Sequence, residues 1–230
     1  MGKHLSFRVL LLAVVLSLFT ASAVHARTTV RFRTVLGNFD VELFDETTPV
    51  TVANFLDIVN RGDYDDTIIH RSLPGFIVQG GGFQATSPIP TDVPEVDPIM
   101  NEPGIPNTRG TIAMAKLGDQ PDSATSQWFF NLGDNSENSD SDLDNQNGGF
   151  TVFGRVLGNG LGVVDAIAAV PTVDAGEPFE AIPVIGFSGG TIAIENLVII
   201  ESITVLDEES GPDPDPNLDP DLTSLYFPVL

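Results

Sequence analysis

The 230-residue chain contains no cysteine, which excludes disulfide bonds, thiolate nucleophiles and lipid-modified cysteines. Basic residues are also scarce, because ten Lys and Arg stand against 32 Asp and Glu, and the formal net charge is −22. A chain this acidic repels nucleic acid and anionic membranes, so we expect neither as a partner.

Only three histidines occur, and two of them, His4 and His25, lie in an amino-terminal segment with the pattern of a signal peptide. This segment, residues 1–26, combines basic residues, an apolar run and small residues before a cleavage point after Ala26. The alternative is an uncleaved anchor, which the short apolar run disfavours. We therefore predict a periplasmic or secreted protein without membrane contact after cleavage.

Cleavage would leave His70 as the only histidine, which excludes a metal site built from histidines. A Ser-His-Asp hydrolase would need His70 as its base, but its place in an apolar strand favours a structural histidine whose ring bonds to the backbone. No glycine-rich phosphate loop leads into a helix with a Lys, so nucleotide binding is unsupported. We predict neither a metal nor a cofactor.

Apolar periodicity predicts a mainly β protein. Alternation around Gly37-Asn38 indicates a β-hairpin, and a helical stripe begins after Thr47-Thr48-Pro49 and ends before Gly62. A second helix is predicted over residues 162–169. Further strands are predicted over residues 67–69, 76–78, 110–115, 126–131, 150–156 and 197–205. This set indicates a closed eight-stranded antiparallel barrel capped by two α-helices.

The chain divides into the signal peptide, one domain (27–206) and a tail rich in Pro and Asp (207–230). The tail lacks the apolar residues needed to fold, although its apolar last six residues could dock on this or another chain. The loop at 84–108 is expected to be a functional or capping loop, and no role is predicted for the Pro/Gly-rich excursion at 171–190. The polar loop at 140–147 alternates oxygen-bearing side chains, but it lacks the glycine and glutamate of a calcium loop, so we expect a solvated loop.

Two polar residues interrupt the apolar stretch at 68–82. Arg71 and Gln79 lie near its ends, and strand alternation puts Gln79 on the face opposite Phe76 and Val78. A bend before the strand could bring Arg71 to the same face as Gln79. The alternative is an ordinary core strand with an exposed Arg and Gln.

After these exclusions, the residues favour a binding surface on one face of the barrel. It would combine Arg71, Phe76 and Gln79 with the aromatic residues near Phe129 and Phe150. Apolar walls with one cation and one amide suit an uncharged, partly apolar peptide rather than an ionic substrate.

Four segments, in this order and spacing, resemble the signature blocks of the cyclophilins in their bacterial form. They are HRSLPGFIVQGG (70–81), GTIAMA (110–115), SQWFFN (126–131) and FTVFGRV (150–156), and the resemblance extends over about residues 29–206. Cyclophilins are peptidyl-prolyl cis-trans isomerases built on an eight-stranded barrel with two helices. The resemblance therefore implies this fold and this activity.

By this resemblance, Arg71 is the catalytic arginine, and Gln79 holds it and reaches the substrate backbone. The expected substrate-binding residues are Phe76, Ile77, Phe129 and Leu143 around the proline ring, Ala115 and Gln127 beside the preceding residue, and Lys116 and Phe150. Lys116 replaces the Asn or Arg that is usual in the family. Asp142 stands where many eukaryotic members have a Trp that contacts cyclosporin, so weak binding of that drug is expected.

The implied role is the folding of exported, proline-containing polypeptides by a monomeric enzyme. One alternative is a chaperone module that binds proline peptides in the same pocket with little turnover. Another is a calcium-dependent structural protein. The joint presence of Arg71, Phe76, Gln79 and Phe129 favours the enzyme.

Overall fold

The computed structural model describes residues 27–86 and 90–206. The predicted signal peptide (1–26) and acidic tail (207–230) lie outside the described residues, as do residues 87–89. Within the described part of the chain, no helix is both long and apolar enough to cross a membrane.

The structure is mainly β with two α-helices, as predicted. The helices are α1 (Pro49–Arg61) and α2 (Leu161–Ala168). The strands are β1 (Thr29–Thr34), β2 (Gly37–Leu43), β3 (Thr67–Ile68), β4 (Arg71–Leu73), β5 (Ile77–Gly80), β6 (Phe83–Gln84), β7 (Thr91–Asp92), β8 (Thr111–Met114), β9 (Trp128–Asn131), β10 (Val152–Val156), β11 (Thr172–Val173), β12 (Ile182–Pro183) and β13 (Ile199–Leu206).

Eleven strands form one sheet in the order β4-β5-β9-β8-β10-β2-β1-β13-β3-β6-β7. This order has two ends, β4 and β7, which differs from the predicted closed barrel of eight strands. One cause lies between β3 and β4, where Ile69 N–H donates to Val198 O (2.9 Å) and His70 N–H donates to Gln79 O (3.2 Å). Before this point β3 pairs with β13, and after it β4 pairs with β5, so β3 and β4 are separate strands at different places in the sheet order. The other cause is the loop at 84–108, where β6 and β7 extend the sheet beyond β3.

The first hairpin turns at Val35 and Leu36, two residues before the predicted Gly37-Asn38 turn, because Thr34 pairs with Gly37. This register sets Phe32 opposite Phe39, and their rings stack with centroids 5.0 Å apart. An aromatic cross-strand pair favours one register over its neighbours. The packing of two buried rings therefore outweighs the turn preference of Gly-Asn.

Helix α1 begins at Pro49 as predicted, but Thr48 does not cap it with its side chain. The carboxylate of Glu102 instead accepts bonds from Val50 N (3.2 Å), Thr51 N (2.8 Å) and Thr51 Oγ1 (2.8 Å). The cap is supplied from about fifty residues further along the chain. At the other end, Gly62 adopts the predicted left-handed conformation, with φ of 73°.

The central strands β8 and β9 are buried on both faces. Trp128 and Phe130 belong to the main core and pack with Phe32, at centroid distances of 5.3 and 5.5 Å. Phe129, between them, belongs to a separate apolar cluster that includes Ile77. This separation follows from the alternation of side chains along a strand.

The excursion at 171–190 is an ordered part of the fold. Its strands β11 and β12 pair with each other, and Ile182 and Val184 pack with Ile68 and Leu197. Ser72 N–H donates to the Ala181 carbonyl at 2.9 Å. The excursion therefore covers the outer edge of β4, which would otherwise expose unpaired backbone groups.

Candidate active site

A row of residues crosses five neighbouring strands and joins predicted site residues from separate parts of the sequence. Arg71 on β4 pairs with Gln79 on β5, and Gln79 pairs with Phe129 on β9. Phe129 then pairs with Ala113, and Ala113 with Val152. Directly paired residues share a face of the sheet. The row therefore runs from a cation and an amide into an apolar surface.

Arg71, Gln79 and Gln127 form a chain of side-chain hydrogen bonds at the polar end of this row. Arg71 Nη1 donates to Gln79 Oε1 at 3.3 Å, and Gln79 Nε2 donates to Gln127 Oε1 at 2.9 Å. The guanidinium is a rigid plane with five N–H donors, so a bond through Nη1 orients the donors at the other nitrogens. All three side chains are half-buried, which leaves the chain open to a ligand.

The glycines that follow Gln79 allow β5 to approach Trp128 and Gln127 closely. Gly81 has a φ of 77°, and a Cβ there would lie 2.6 Å from Trp128 Nε1. A Cβ on Gly82 would lie 2.7 Å from Gln127 Nε2. A side chain at Gly81 would collide with Trp128, and one at Gly82 would displace Gln127, the partner of Gln79.

The apolar end of the row is a cluster that contains all six apolar residues predicted to bind substrate. Ile77, Phe129 and Leu143 are buried in it, and Phe76, Ala115 and Phe150 pack against it while remaining half-buried. The Phe129 and Phe150 rings lie 5.8 Å apart at 73°.

The prediction that Phe76 shares a face with Val78 is wrong. Phe76 lies in the turn before β5, where strand alternation does not apply, and its N–H donates to Leu73 O at 2.9 Å. Val78 packs in the main core instead.

A network of buried asparagines, which the sequence analysis missed, holds this cluster in place. Asn135 Nδ2 donates to the Phe76 carbonyl (3.0 Å) and to Asn131 Oδ1 (2.8 Å). Leu143 N–H donates to the Asn135 carbonyl at 2.8 Å, and Asn131 Nδ2 donates to Asn107 Oδ1 at 3.2 Å. The available signal was Asn131 itself, a polar residue at the end of an aromatic strand, because a buried amide requires partners.

Lys116 lies beside Phe150, with Nζ 4.8 Å from the ring centroid. Its ammonium donates to the carbonyls of Asn147 (2.8 Å) and Gly149 (2.7 Å). Partial burial lowers the pKa of Lys116 below its ordinary value, and the charge of Asp122 opposes that shift. Lys116 therefore fixes the turn that carries Phe150.

His70 is buried behind Arg71, with its ring 4.9 Å from that of Phe83 in an edge-to-face arrangement. Hydrogen bonding to the Gln127 side chain and to the Ile68 backbone acts to raise the pKa of the ring, although Nδ1 has no partner among the described residues. Burial, followed by the charge of Arg71, lowers the pKa of His70 to about 4. The ring is therefore neutral near pH 7.

The loop at 140–147 uses Asp144 for internal hydrogen bonds. Its Oδ1 accepts from Asn107 N (2.8 Å) and Asn107 Nδ2 (2.9 Å), and its Oδ2 accepts from Glu137 N (3.1 Å). In residues 27–86 and 90–206, no group of three or more His, Asp or Glu is arranged to hold a metal ion.

Comparison with known proteins shows the family to which the chain belongs. The family model for cyclophilin-type peptidyl-prolyl cis-trans isomerases matches residues 29–188. The chain is 44% identical over 149 residues to a peptidyl-prolyl cis-trans isomerase of Acinetobacter baylyi, covering 64% of this chain and 75% of that protein. It is 40% identical over 178 residues to peptidyl-prolyl cis-trans isomerase B of Escherichia coli, covering 76% and 98%.

The fold also matches a solved cyclophilin-type structure from Cryptosporidium parvum, with a TM-score of 0.58 and 23% identity over 79% of this chain and 99% of that one. The chain belongs to the cyclophilin family of peptidyl-prolyl cis-trans isomerases.

Proposed function

We propose that this enzyme accelerates rotation about X-Pro bonds in exported polypeptides, with Arg71 as the catalytic group. The observation that carries the proposal is the single cross-strand row in which Arg71 and Gln79 adjoin the apolar cluster around Phe129. A cation beside an apolar pocket matches a substrate that has one apolar ring and one imide nitrogen.

The reaction needs neither covalent nor acid–base chemistry. An X-Pro bond rotates in tens to hundreds of seconds because the amide loses its resonance at a barrier of about 18–20 kcal/mol. In the twisted state the imide nitrogen becomes pyramidal and gains a lone pair, which a guanidinium N–H can bind. Because this acceptor exists only in the twisted state, the bond lowers the barrier rather than stabilising bound substrate.

The positions of the remaining residues support definite roles. Phe76, Phe129 and Leu143 would enclose the proline ring, while Ala115 and Gln127 would flank the residue before it. Gln79 would hold the guanidinium plane and reach the substrate backbone. A related Cryptosporidium parvum cyclophilin, with a TM-score of 0.56 to this chain, was crystallised in the presence of the dipeptide Ala-Pro, which agrees with a proline-sized pocket.

The proposal includes export through the signal peptide at 1–26 and action as a monomer on proteins folding in the periplasm or outside the cell. Mass spectrometry of the mature protein would test this part. We expect an amino terminus at Arg27, and a chain that retains residues 1–26 would contradict it.

The catalytic proposal is tested by measuring isomerisation of an Ala-Pro peptide by NMR exchange spectroscopy. Loss of one preorganised donor typically costs about 100- to 1,000-fold in rate, so we expect that loss for Arg71→Ala. The matched control is Arg33→Ala, because Arg33 is an exposed arginine on β1. We expect the control to retain the wild-type rate.

Two results would contradict the proposal. Wild-type turnover no faster than the spontaneous rate would support the proline-binding chaperone, which should still bind the peptide. Full activity in Arg71→Ala would remove Arg71 from the mechanism.

A further inference from the structure

A cavity of about 610 Å³ opens beside the hydrogen-bond chain of the site. Gln79, Ala115 and Gln127 form the wall that it shares with the site, and the end of β7 and the segment that follows it contribute further lining residues. Cavities of about 300–1,000 Å³ are typical of small-molecule sites, so this one can hold a long side chain. A peptide whose proline lies near Phe129 would extend past Gln127 into this space.

The charges around this cavity are predominantly negative. Asp92, the last residue of β7, and Glu95, in the segment after it, line the cavity, and Asp122 lines it from the loop before β9. Asp122 is held in place because its Oδ1 accepts from Asn101 N at 2.9 Å. The lining also includes Lys116, but its ammonium donates to the Asn147 and Gly149 carbonyls beside Phe150.

We propose that this cavity selects substrates with a cationic side chain, Lys or Arg, within the two residues that precede the proline. The proposal rests on the proposed function, because Gln127 and Ala115 define which side of the proline the cavity faces. An aliphatic stem would lie along Val93 and Val96, which also line the cavity, while the charged end reaches the carboxylates. Asp92 and Glu95 are the specificity-determining residues.

The test compares acetylated peptides that differ only at the second position before the proline, which is Lys, norleucine or Glu. Catalysed exchange rates give kcat/KM, and chemical-shift titration gives Kd. Because exposed ion pairs contribute about 0.2–1 kcal/mol each, we expect the Lys peptide to exceed the norleucine peptide by about 3- to 10-fold at low salt. The preference should nearly vanish in 1 M salt, where the Debye length is about 3 Å.

Two variants separate the cavity from the general acidity of the protein. Asp92→Asn combined with Glu95→Gln should remove most of the preference for Lys. Asp97→Asn changes a carboxylate that is exposed on the same segment but does not line the cavity, and it should leave the preference intact. Equal rates for Lys and norleucine, or an unchanged preference in the double variant, would overturn the proposal.

A further peptide with Lys directly after the proline controls for long-range attraction, because the net charge of −22 attracts any cation. An equal gain from this peptide would also overturn the proposal. The norleucine peptide distinguishes failure of this proposal from failure of the proposed function. Its exchange rate measures isomerase activity. The ratio of Kd values for the Lys and norleucine peptides measures the cationic preference of the cavity, even in a protein without turnover.

Discussion

Replacement of Glu102 should destabilise the protein, because this residue caps α1 from a distant loop. Its two carboxylate oxygens accept from the N–H groups of Val50 and Thr51, the second and third residues of the helix. The carboxylate is held in place because Glu102 N–H donates to Thr151 Oγ1 at 2.8 Å, which ties the loop to the start of β10.

The magnitude follows from two contributions. Loss of a helix cap costs about 0.5–2 kcal/mol, and loss of a negative charge at a helix amino terminus costs about 0.3–1 kcal/mol. Glu102→Ala removes both, so we expect a loss of about 2 kcal/mol in the free energy of unfolding. Glu102→Gln keeps one acceptor oxygen and loses the charge, so about 0.5–1 kcal/mol is expected.

Urea unfolding monitored by circular dichroism would measure these losses as a lower midpoint with an unchanged slope. For a domain of this size, about 2 kcal/mol corresponds to a fall of about 4–8 °C in Tm. Asp97→Asn is the matched control, because it removes an exposed carboxylate from the same loop and should change stability by less than about 0.5 kcal/mol. A Glu102→Ala variant as stable as this control, or one equal to Glu102→Gln, would refute the capping argument.

Two further predictions concern residues around the site. Because the pKa of His70 falls to about 4 in the folded protein, the unfolded chain binds the additional proton between about pH 6.5 and pH 4. Stability should therefore decrease as the pH falls through this range, by up to about 1.4 kcal/mol per pH unit, and His70→Phe should show a shallower slope in urea unfolding between pH 6.5 and 5. Gly81→Ala should cost at least about 2 kcal/mol in urea unfolding, because φ is 77° and the new Cβ would lie 2.6 Å from Trp128 Nε1. Gly162→Ala is the control, because Gly162 has open space around it, and it should be neutral or stabilising in the same assay.

The sequence predicted the elements with strong periodicity and the contents of the apolar cluster. Helix α1 ended just before Gly62 as expected, because a left-handed glycine is a local signal. The start of α1 was predicted at the right residue with the wrong cap, since nothing local to Pro49 indicates that Glu102 lies beside it. The hairpin turn was misplaced by a contact between Phe32 and Phe39 that a turn rule does not include.

The hydrogen-bonded contacts of the site were harder to predict than its members. That Gln79 would hold Arg71 followed from the family resemblance, and the bond at 3.3 Å is present. The bond from Gln79 to Gln127 spans 48 residues and depends on the register of β5 with β9. Asn131 and Asn135 support the pocket through buried amides. Asn131 could have been recognised by its place at the end of an aromatic strand, but no local pattern distinguishes Asn135 from a polar loop residue.

The surroundings of Arg71 differ from those of most other arginines in this acidic chain. Among the described residues, five arginines are ion-paired with carboxylates: Arg27, Arg31, Arg61, Arg109 and Arg155. Arg71 instead donates to the neutral amide oxygen of Gln79. A carboxylate in that place would orient the guanidinium equally well but would neutralise its field at the substrate, whereas an amide fixes the plane and leaves the charge available. In Gln79→Glu, Arg71 keeps its acceptor, but the N–H that bonds Gln127 Oε1 is lost, and the Gln127 amide must turn to donate to the new carboxylate. We expect a lower exchange rate with Arg71 unmoved, which would assign the choice of glutamine to electrostatics rather than to packing.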